Sequence, residues 1–388
     1  PIRNQFFNYL NHYSTGEMRN ALLRLFAVLN QKESERDPYL EKELADFPYV
    51  NGGLFADDKI EVPQFTDGIR DLLLKHASED FDWSEISPTI FGALFESTLN
   101  QETRRSNGMH YTSIENIHKV IDPLFLDNLW NEFKRICDTY SNTKSRNEQL
   151  DVFHTKLSKL RFFDPACGSG NFLTETYLSL RRLENEIIKM TSKGQMLFDG
   201  DGVIQVSIKQ FYGIEYNDFA VNVAKTALWI AEFQMMKETE KIVSLNFNFL
   251  PLKTYTNIVE GNALRINWEE VVPKEDLCSI RDTPSLYIMG NPPFVGASQM
   301  SAEQKNDAVA VFGKIKLSNS IDYVGAWYHL AAKYMMGTNI QAAFVSTNSI
   351  TQGEQVAPLW KKMFETYGVE IIFAYQTFKW GNEAKNAA

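Results

Sequence analysis

Asn291-Pro292-Pro293-Phe294 combines two hydrogen-bond acceptors, a stiff backbone and a flat ring. The Asn291 amide oxygen and the Pro292 carbonyl can each take a hydrogen from one planar NH2 group. Pro292 and Pro293 cannot join a ladder as donors and hold the chain extended, so both acceptors project from a fixed platform. Drawing on both N–H bonds localises the nitrogen lone pair. An amine conjugated to an aromatic ring, normally a poor nucleophile, is improved in this way without a strong base. Phe294 offers a face for that ring, worth about 1–3 kcal/mol by analogy with other base–aromatic stacks. A plain turn of this composition has little reason to follow a buried strand.

Three more clusters carry chemistry. Asp164-Pro165-Ala166-Cys167-Gly168-Ser169-Gly170 lies between the apolar run ending at Phe163 and a helical pattern beginning at Phe172. Gly168 and Gly170 let the backbone approach a ligand, and the following helix start favours polar or anionic groups. The full dinucleotide pattern G-x-G-x-x-G is absent because residue 173 is Leu, which disfavours a pyrophosphate cofactor. Glu215 is placed to accept both hydroxyls of a ribose, or to cap a helix. Asn262 has the groups to bond an adenine edge, although alone it reads first as a turn residue.

The elements that must position these clusters follow from periodicity. The pattern predicts strand 160–164, helix 171–193, strand 211–215, helix 218–236, strands 256–260 and 286–290, helix 322–336, strand 341–346, helix 355–367 and strand 369–375. Such alternation implies an α/β fold, a doubly wound, mostly parallel sheet covered by helices. The four clusters each follow a strand, so they are expected to share one rim of the sheet. Residues 194–208 read as an inserted loop or hairpin. Residues 1–105 read as a helical spacer or docking domain, with helices in 1–45, 67–78 and 84–99 and a Met18, Leu22, Leu25, Phe26, Leu29 stripe. The remainder, 106–388, forms the second domain. It opens with a turn and a helix that Ser113 can cap.

Composition narrows the function classes. Apolar residues at 44% and charged residues at 23% suit a globular chain. No uncharged apolar run reaches about 18 residues, so no membrane span is expected. The net charge of −10 argues against indiscriminate polyanion binding, but the excess acid lies mostly in residues 1–105. Cys137, Cys167 and Cys278 form neither a disulfide framework nor a metal-ligand pair, which suits a reducing, cytoplasmic setting and indicates no metal. His110 and His118 read as surface residues. The chain opens on Pro1 and stops after "WGNEAKNAA", so it is expected to be a piece of a longer polypeptide.

Together these motifs resemble those of S-adenosylmethionine-dependent DNA methyltransferases of the N6-adenine class, in the gamma order. Asp164–Phe172 resembles the family's first cofactor motif, Glu215 its second, Asn262 its third, and Gly290–Phe294 its catalytic motif. "GMHYT", residues 108–112, resembles the motif preceding the cofactor loop. The resemblance implies a Rossmann-like class I methyltransferase fold and S-adenosylmethionine as cofactor. Tyr111 and Thr112 would hold its methionine part, Asp164, Ala166, Gly168 and Gly170 would line it, Glu215 would bind the ribose and Asn262 would face the adenine. Asn291 and Pro292 would accept from the target N6, with Pro293 stiffening the corner and Phe294 stacked on the base. Phe378 or Trp380 would lend a second aromatic contact. The partner would be double-stranded DNA with a flipped adenine. "SNSIDYVGAWYHLAAKYM" and "AAFVSTNSITQGEQ" are similar to the large single-chain type II (type IIL-like) restriction–modification enzymes. In those a nuclease, helical spacer, methyltransferase and recognition domain are fused, so nuclease and target-recognition domains are expected outside this chain. Alternatives are methylation of protein glutamine or RNA bases, or a catalytically silent DNA-binding scaffold.

Overall fold

The computed structural model describes residues 4–49, 55, 61–80, 86–92, 112–192, 203–243, 257–274, 285–313 and 320–378. These fall into two compact units, divided after Ser87. In the first, helices Gln5–Asn11 and Met18–Leu29 build a small core. Met18, Leu22 and Leu25 of the expected stripe are buried there beside Tyr9 and Leu10, with Phe26 and Leu29 packed against them. Tyr9 satisfies its hydroxyl by donating to the Ala21 carbonyl at 3.1 Å.

The second unit is an α/β fold around five parallel strands: β1 (Arg161–Asp164), β2 (Phe211–Glu215), β3 (Asn257–Glu260), β4 (Leu286–Gly290) and β5 (Gln341–Phe344). Their order is β3-β2-β1-β4-β5. The chain works outward on one side of β1, then returns to build β4 and β5 on the other. That reversal opens a crevice at the carboxyl ends of β1 and β4. Register aligns Phe162 with Tyr287 and Phe163 with Ile288.

Successive side chains on β1 point to opposite faces, and both are buried. Phe162 stacks between Phe211 at 5.2 Å and Tyr287 at 5.8 Å, forming an aromatic row across three strands. Phe163 meets Trp268 edge-on at 5.2 Å on the other face. The helices that matter for the site are α1 (Ile114–Ile121), α2 (Asp127–Thr139), α3 (Thr143–Lys159), α4 (Asn171–Thr191), α5 (Asp218–Val243), α6 (Ala302–Phe312), α7 (Gly325–Met335) and α8 (Val356–Glu365). Among the described residues no helix is long and apolar enough to cross a membrane.

α4 lies deep in the unit, and charged residues are buried along it. Arg181 and Glu184 are fully buried and paired with each other. Arg181 also donates to Thr239 Oγ1 on α5 at 2.7 Å. Glu184 accepts from His154 on α3 and from the backbone N–H of Gln205 and Val206, at 2.6 and 2.9 Å. A buried charge persists only when paired and hydrogen-bonded, and here the pair joins three helices and a loop.

The sequence pattern misplaces one element. Residues 369–375 are not a strand; they run beyond α8 without joining the sheet, and Ile371 and Ile372 are more than half exposed. β-rich composition supplies the propensity but not the neighbouring strand that a ladder needs. Most of the 194–208 insertion lies outside the described residues, and 203–207 are neither helix nor strand.

Arg181→Leu should lower the unfolding free energy by about 3–5 kcal/mol, because it strands Glu184 as a buried charge. Urea denaturation followed by circular dichroism checks this; a loss below about 1 kcal/mol would mean the pair does not hold α4.

Candidate active site

The turn after β1 is tied down by backbone donors. Ala166 N–H bonds Asp164 Oδ1 at 3.0 Å, Cys167 N–H bonds the Ile214 carbonyl at 3.1 Å, and Gly168 N–H bonds Glu215 Oε2 at 2.9 Å. The two glycines serve different needs. Gly168 has φ 54°, which turns its N–H toward Glu215. Gly170 has φ 81° and forms the N-cap of α4; a Cβ there would lie 2.9 Å from Ala224 Cβ, so it lets α4 and α5 close together.

Glu215 joins three loops. Its second carboxylate oxygen accepts from Asn217 N–H at 2.9 Å, and its carbonyl accepts from Gly261 N–H at 2.8 Å after β3. Next along the rim, Asn262 is a turn residue facing the same cavity. Its Oδ1 accepts from Leu264 N–H at 2.9 Å, and its Nδ2 donates to Asp307 Oδ2 at 2.8 Å.

The Asn291 corner follows β4, beside the turn after β1. A Cβ at Gly290 would collide with the Asp164 carboxylate, so glycine is what lets the two strand ends approach. Asn291 Nδ2 donates to Thr112 Oγ1 at 3.2 Å, while Asn291 Oδ1 is buried without a protein partner. Trp327 of α7 donates its indole N–H to the Pro165 carbonyl at 3.1 Å, bracing the loop from the other side.

A cavity of about 260 Å³ opens between these corners. Thr112, Asp164, Ala166, Gly168, Glu215 and Asn262 line it, as do Asn291 and Pro293. Gly170, Pro292 and Phe294 do not; Phe294 is half-buried against the core between the sheet and α7. Tyr111 and Trp380 lie outside the described residues. Phe378 has its ring 4.9 Å from Lys119 Nζ and is not part of the cavity wall.

Burial dominates the electrostatics. It pushes the Asp164 carboxyl up to about 8, against the opposing Ala166 N–H and with a further rise from the Glu215 charge. Glu215 is also raised by burial, with the N–H groups of Asn217 and Gly168 pulling the other way. Burial, reinforced by both carboxylates, pushes the Cys167 thiol well up and withholds a thiolate nucleophile from this loop. Asp164 Oδ2, like Asn291 Oδ1, is buried without a protein partner. Two orphaned acceptors in one cavity suit a ligand rich in N–H donors and positive charge.

Sequence reasoning missed Asp307, Trp327 and the setting of His118. Asp307 on α6 is buried, lines the cavity, and accepts from both Asn262 and Arg265 Nε, the latter at 2.7 Å. Only the start of α6 is legible, in the Ser301–Gln304 capping box. His118, expected at the surface, is half-buried and ties α1 to α4. Its Nδ1 lies 2.7 Å from Asp122 and its Nε2 3.3 Å from Glu175, which also pairs with Arg182 at 3.2 Å.

The family described as "MmeI, DNA-methyltransferase domain" matches residues 140–388, and "MmeI, helicase spacer domain" matches residues 1–55. DNA methyltransferase A of Bacillus subtilis is 43% identical over 392 residues, covering 100% of this chain and 42% of that protein. A putative type II restriction enzyme and methyltransferase of Methanocaldococcus jannaschii is 25% identical over 247 residues, 53% of this chain and 20% of that protein. The structure of the type IIL restriction–modification enzyme MmeI in complex with DNA superposes with a TM-score of 0.87 at 42% identity, covering 98% of this chain and 49% of that one. The chain therefore spans less than half the length of each of these relatives.

The His118 clamp gives a pH signature. Glu175 foremost, then Asp122, raises the imidazole from 6.5 to about 9. The folded state holds this proton more tightly, so the stabilisation is complete below about pH 6.5 and is lost as pH rises through about 9. His118→Gln should cost about 1–2 kcal/mol at the acid end of that window, less than the full shift because the ring is partly solvated. Urea titrations at about pH 6.5 and pH 10 should show the deficit shrinking; an equal deficit at both would exclude the ion pairs as its cause.

Proposed function

The chain belongs to the MmeI DNA-methyltransferase family, and from that premise we propose that it transfers a methyl group from S-adenosylmethionine to the exocyclic N6 amine of adenine in DNA, as the modification part of a restriction–modification system. The observation that carries this reading is the Asn291 Oδ1 atom. It is a buried acceptor without a partner, in a cavity that Asp164 and Glu215 also line. A target that brings N–H donors satisfies it; an apolar or purely acceptor target does not.

The cofactor fits the donor set on this chain. Asp164 Oδ2 is an orphaned acceptor that would take an ammonium group, and Glu215, at the end of β2, would take the ribose hydroxyls. Ala166 and Gly168 would let the backbone come close, Gly170 sets the helix start, and Asn262, held by Asp307, would take the adenine end. Thr112, and Tyr111 outside the described residues, would hold the methionine end in this reading. Bound there, S-adenosylmethionine supplies an electrophilic sulfonium methyl, so the protein's task is alignment for in-line attack.

Asn291 Oδ1 and the Pro292 carbonyl would take the two N6 hydrogens, and Pro293 holds them at a fixed spacing. Phe294 would stack on the base, which must leave the duplex to reach this rim. Residues 106–388 are the methyltransferase domain in this reading, and 1–105 the helical spacer, in keeping with the family match over 1–55. The partners would be duplex DNA and the nuclease and target-recognition parts of the same parent chain, in the cytoplasm.

Labelled methyl from S-adenosylmethionine should enter duplex DNA, be recovered as N6-methyladenine, and stay out of RNA and protein. Asn291→Ala in the full parent protein should lower kcat by about 10²–10³, the usual cost of deleting one preorganised hydrogen-bonding group. Methyl recovered on cytosine, glutamine or RNA, or an Asn291→Ala protein as fast as wild type, would sink the assignment. Cofactor binding should also depend on pH. A cationic ligand favours ionised Asp164, whose carboxyl sits near 8 in the free protein, so binding releases a proton. Calorimetry should show affinity for S-adenosylmethionine rising with pH up to about 8 and then levelling. The slope should be smaller in Asp164→Asn, with Glu215, also raised by burial, supplying the remainder.

A further inference from the structure

The corners of the rim fall in a fixed order. From β3 to β4 they are Asn262, Glu215, the glycine turn and Asn291. A cofactor with its methyl in the crevice between β1 and β4 and its ribose on Glu215 has its base beside Asn262 and α6. We propose that Asp307 of α6 is the residue that reads this base, its carboxylate accepting from the exocyclic N6 amine of the cofactor's own adenine. The assignment rests on the S-adenosylmethionine reading above and gives that site its base specificity.

An exocyclic amine needs an acceptor, and the acceptor of Asn262 is turned away. Its Oδ1 takes the Leu264 N–H at 2.9 Å, two residues along its own turn. A backbone N–H can only donate, so the amide cannot sit the other way round. Nδ2 is thereby directed to Asp307 Oδ2 at 2.8 Å, where a carboxylate accepts. What Asn262 has left for a base is the second N–H of Nδ2, which suits a ring nitrogen and opposes an amine.

Asp307 supplies the missing acceptor. It lines the cavity and is only 5% exposed. Asn262 Nδ2 fills one site on one oxygen, and Arg265 Nε, at 2.7 Å, fills one on the other; a carboxylate has about four. Arg265 also offsets the buried charge. An N–H of Asn262 beside the Asp307 carboxylate sets a donor next to an acceptor. Adenine is the complement, with a ring nitrogen that accepts next to an N–H that donates. Hypoxanthine, with oxygen at position 6, would set an acceptor against the carboxylate. The other α6 side chains that reach the cavity suit the task less. Gln304 Oε1 accepts from Ser301 N–H at 3.0 Å in the capping box, and Glu303 is mostly exposed and paired with Arg265 Nη2 at 2.9 Å. Ala308 and Phe312 are buried in the core, which seats the helix.

A ligand series decides the sign without any mutation. S-adenosylhomocysteine, the product left when the methyl has gone, is compared by calorimetry in the full parent protein with its analogues carrying purine (hydrogen at position 6) or hypoxanthine (oxygen there). A carboxylate facing position 6 ranks them adenine, purine, hypoxanthine. Each step should be about tenfold, for a charge-assisted hydrogen bond lost and then an acceptor left facing an acceptor. Hypoxanthine bound as tightly as purine, or more tightly, would mean that a donor faces position 6 and would overturn the proposal. Asp307→Asn puts an NH2 group in place of one carboxylate oxygen, and should shrink the adenine-to-hypoxanthine ratio from about hundredfold to below about fivefold. A variant that only loosens α6 weakens all three ligands alike. An unchanged ratio in Asp307→Asn would therefore overturn the proposal, as would a ratio lost in Glu303→Gln and kept in Asp307→Asn. If Asp307→Asn fails to fold, the wild-type ranking still decides. If the wild-type protein binds none of the three, the S-adenosylmethionine reading fails and the proposal with it; adenine bound with another ranking sinks the proposal alone.

Discussion

The site depends on β1 and β4 being parallel neighbours with almost nothing between their ends. Gly290 has no side chain, and the Asp164 carboxyl occupies the space where a Cβ would stand. Had β4 been added outside β3, the glycine turn and the Asn291 corner would be several strand spacings apart, each about 4.8 Å. The reversal of strand order brings one loop rich in backbone donors and one corner rich in acceptors to the same crevice. Chemistry that joins two substrates needs this kind of adjacency, because neither loop alone can hold both.

Around that contact the fold adds stiffness with polar groups rather than with apolar bulk alone. Arg181 and Glu184 lock α4 to α3 and α5, Trp327 braces the Pro165 carbonyl, and Asp307 fixes the Asn262 amide. Each is a directional bond inside or beside a helix that starts at a loop of the site. Apolar packing sets how close helices come; these bonds set the rotation at which they stop. A rim built from loop backbone needs the second kind of control.

Much of this was legible before any coordinates. The bounds of β1, β2 and β4 were read to within a residue, because a parallel strand covered on both faces is a short apolar run ended by Gly, Asp or Glu. Asp164, Glu215, Asn262 and Asn291 stand out by local type and spacing, Thr112 only through the family resemblance, and all five line one cavity. What failed was whatever depended on a distant partner. The run 369–375 has every local mark of a strand and no ladder to join. The burial of Arg181 and Glu184 has no local sign, because Thr239, which bonds Arg181, lies 58 residues away from it. Asp307 sits in a helix with little apolar periodicity, and nothing nearby announces a carboxylate turned inward. His118 was read as a surface residue because Glu175, 57 residues on, is invisible from its own neighbourhood.

Glu215 is at once a wall of the cavity and the knot that fastens the loops after β1, β2 and β3. That double duty makes the residue hard to interpret by deletion. Shortening it would loosen three segments together, and a drop in ligand affinity could not be credited to a missing contact. An engineer seeking a different small molecule for this crevice therefore has the most freedom along α6 and at Asn262, where side chains face inward from an intact frame, and the least at the one acid whose removal would undo the frame itself.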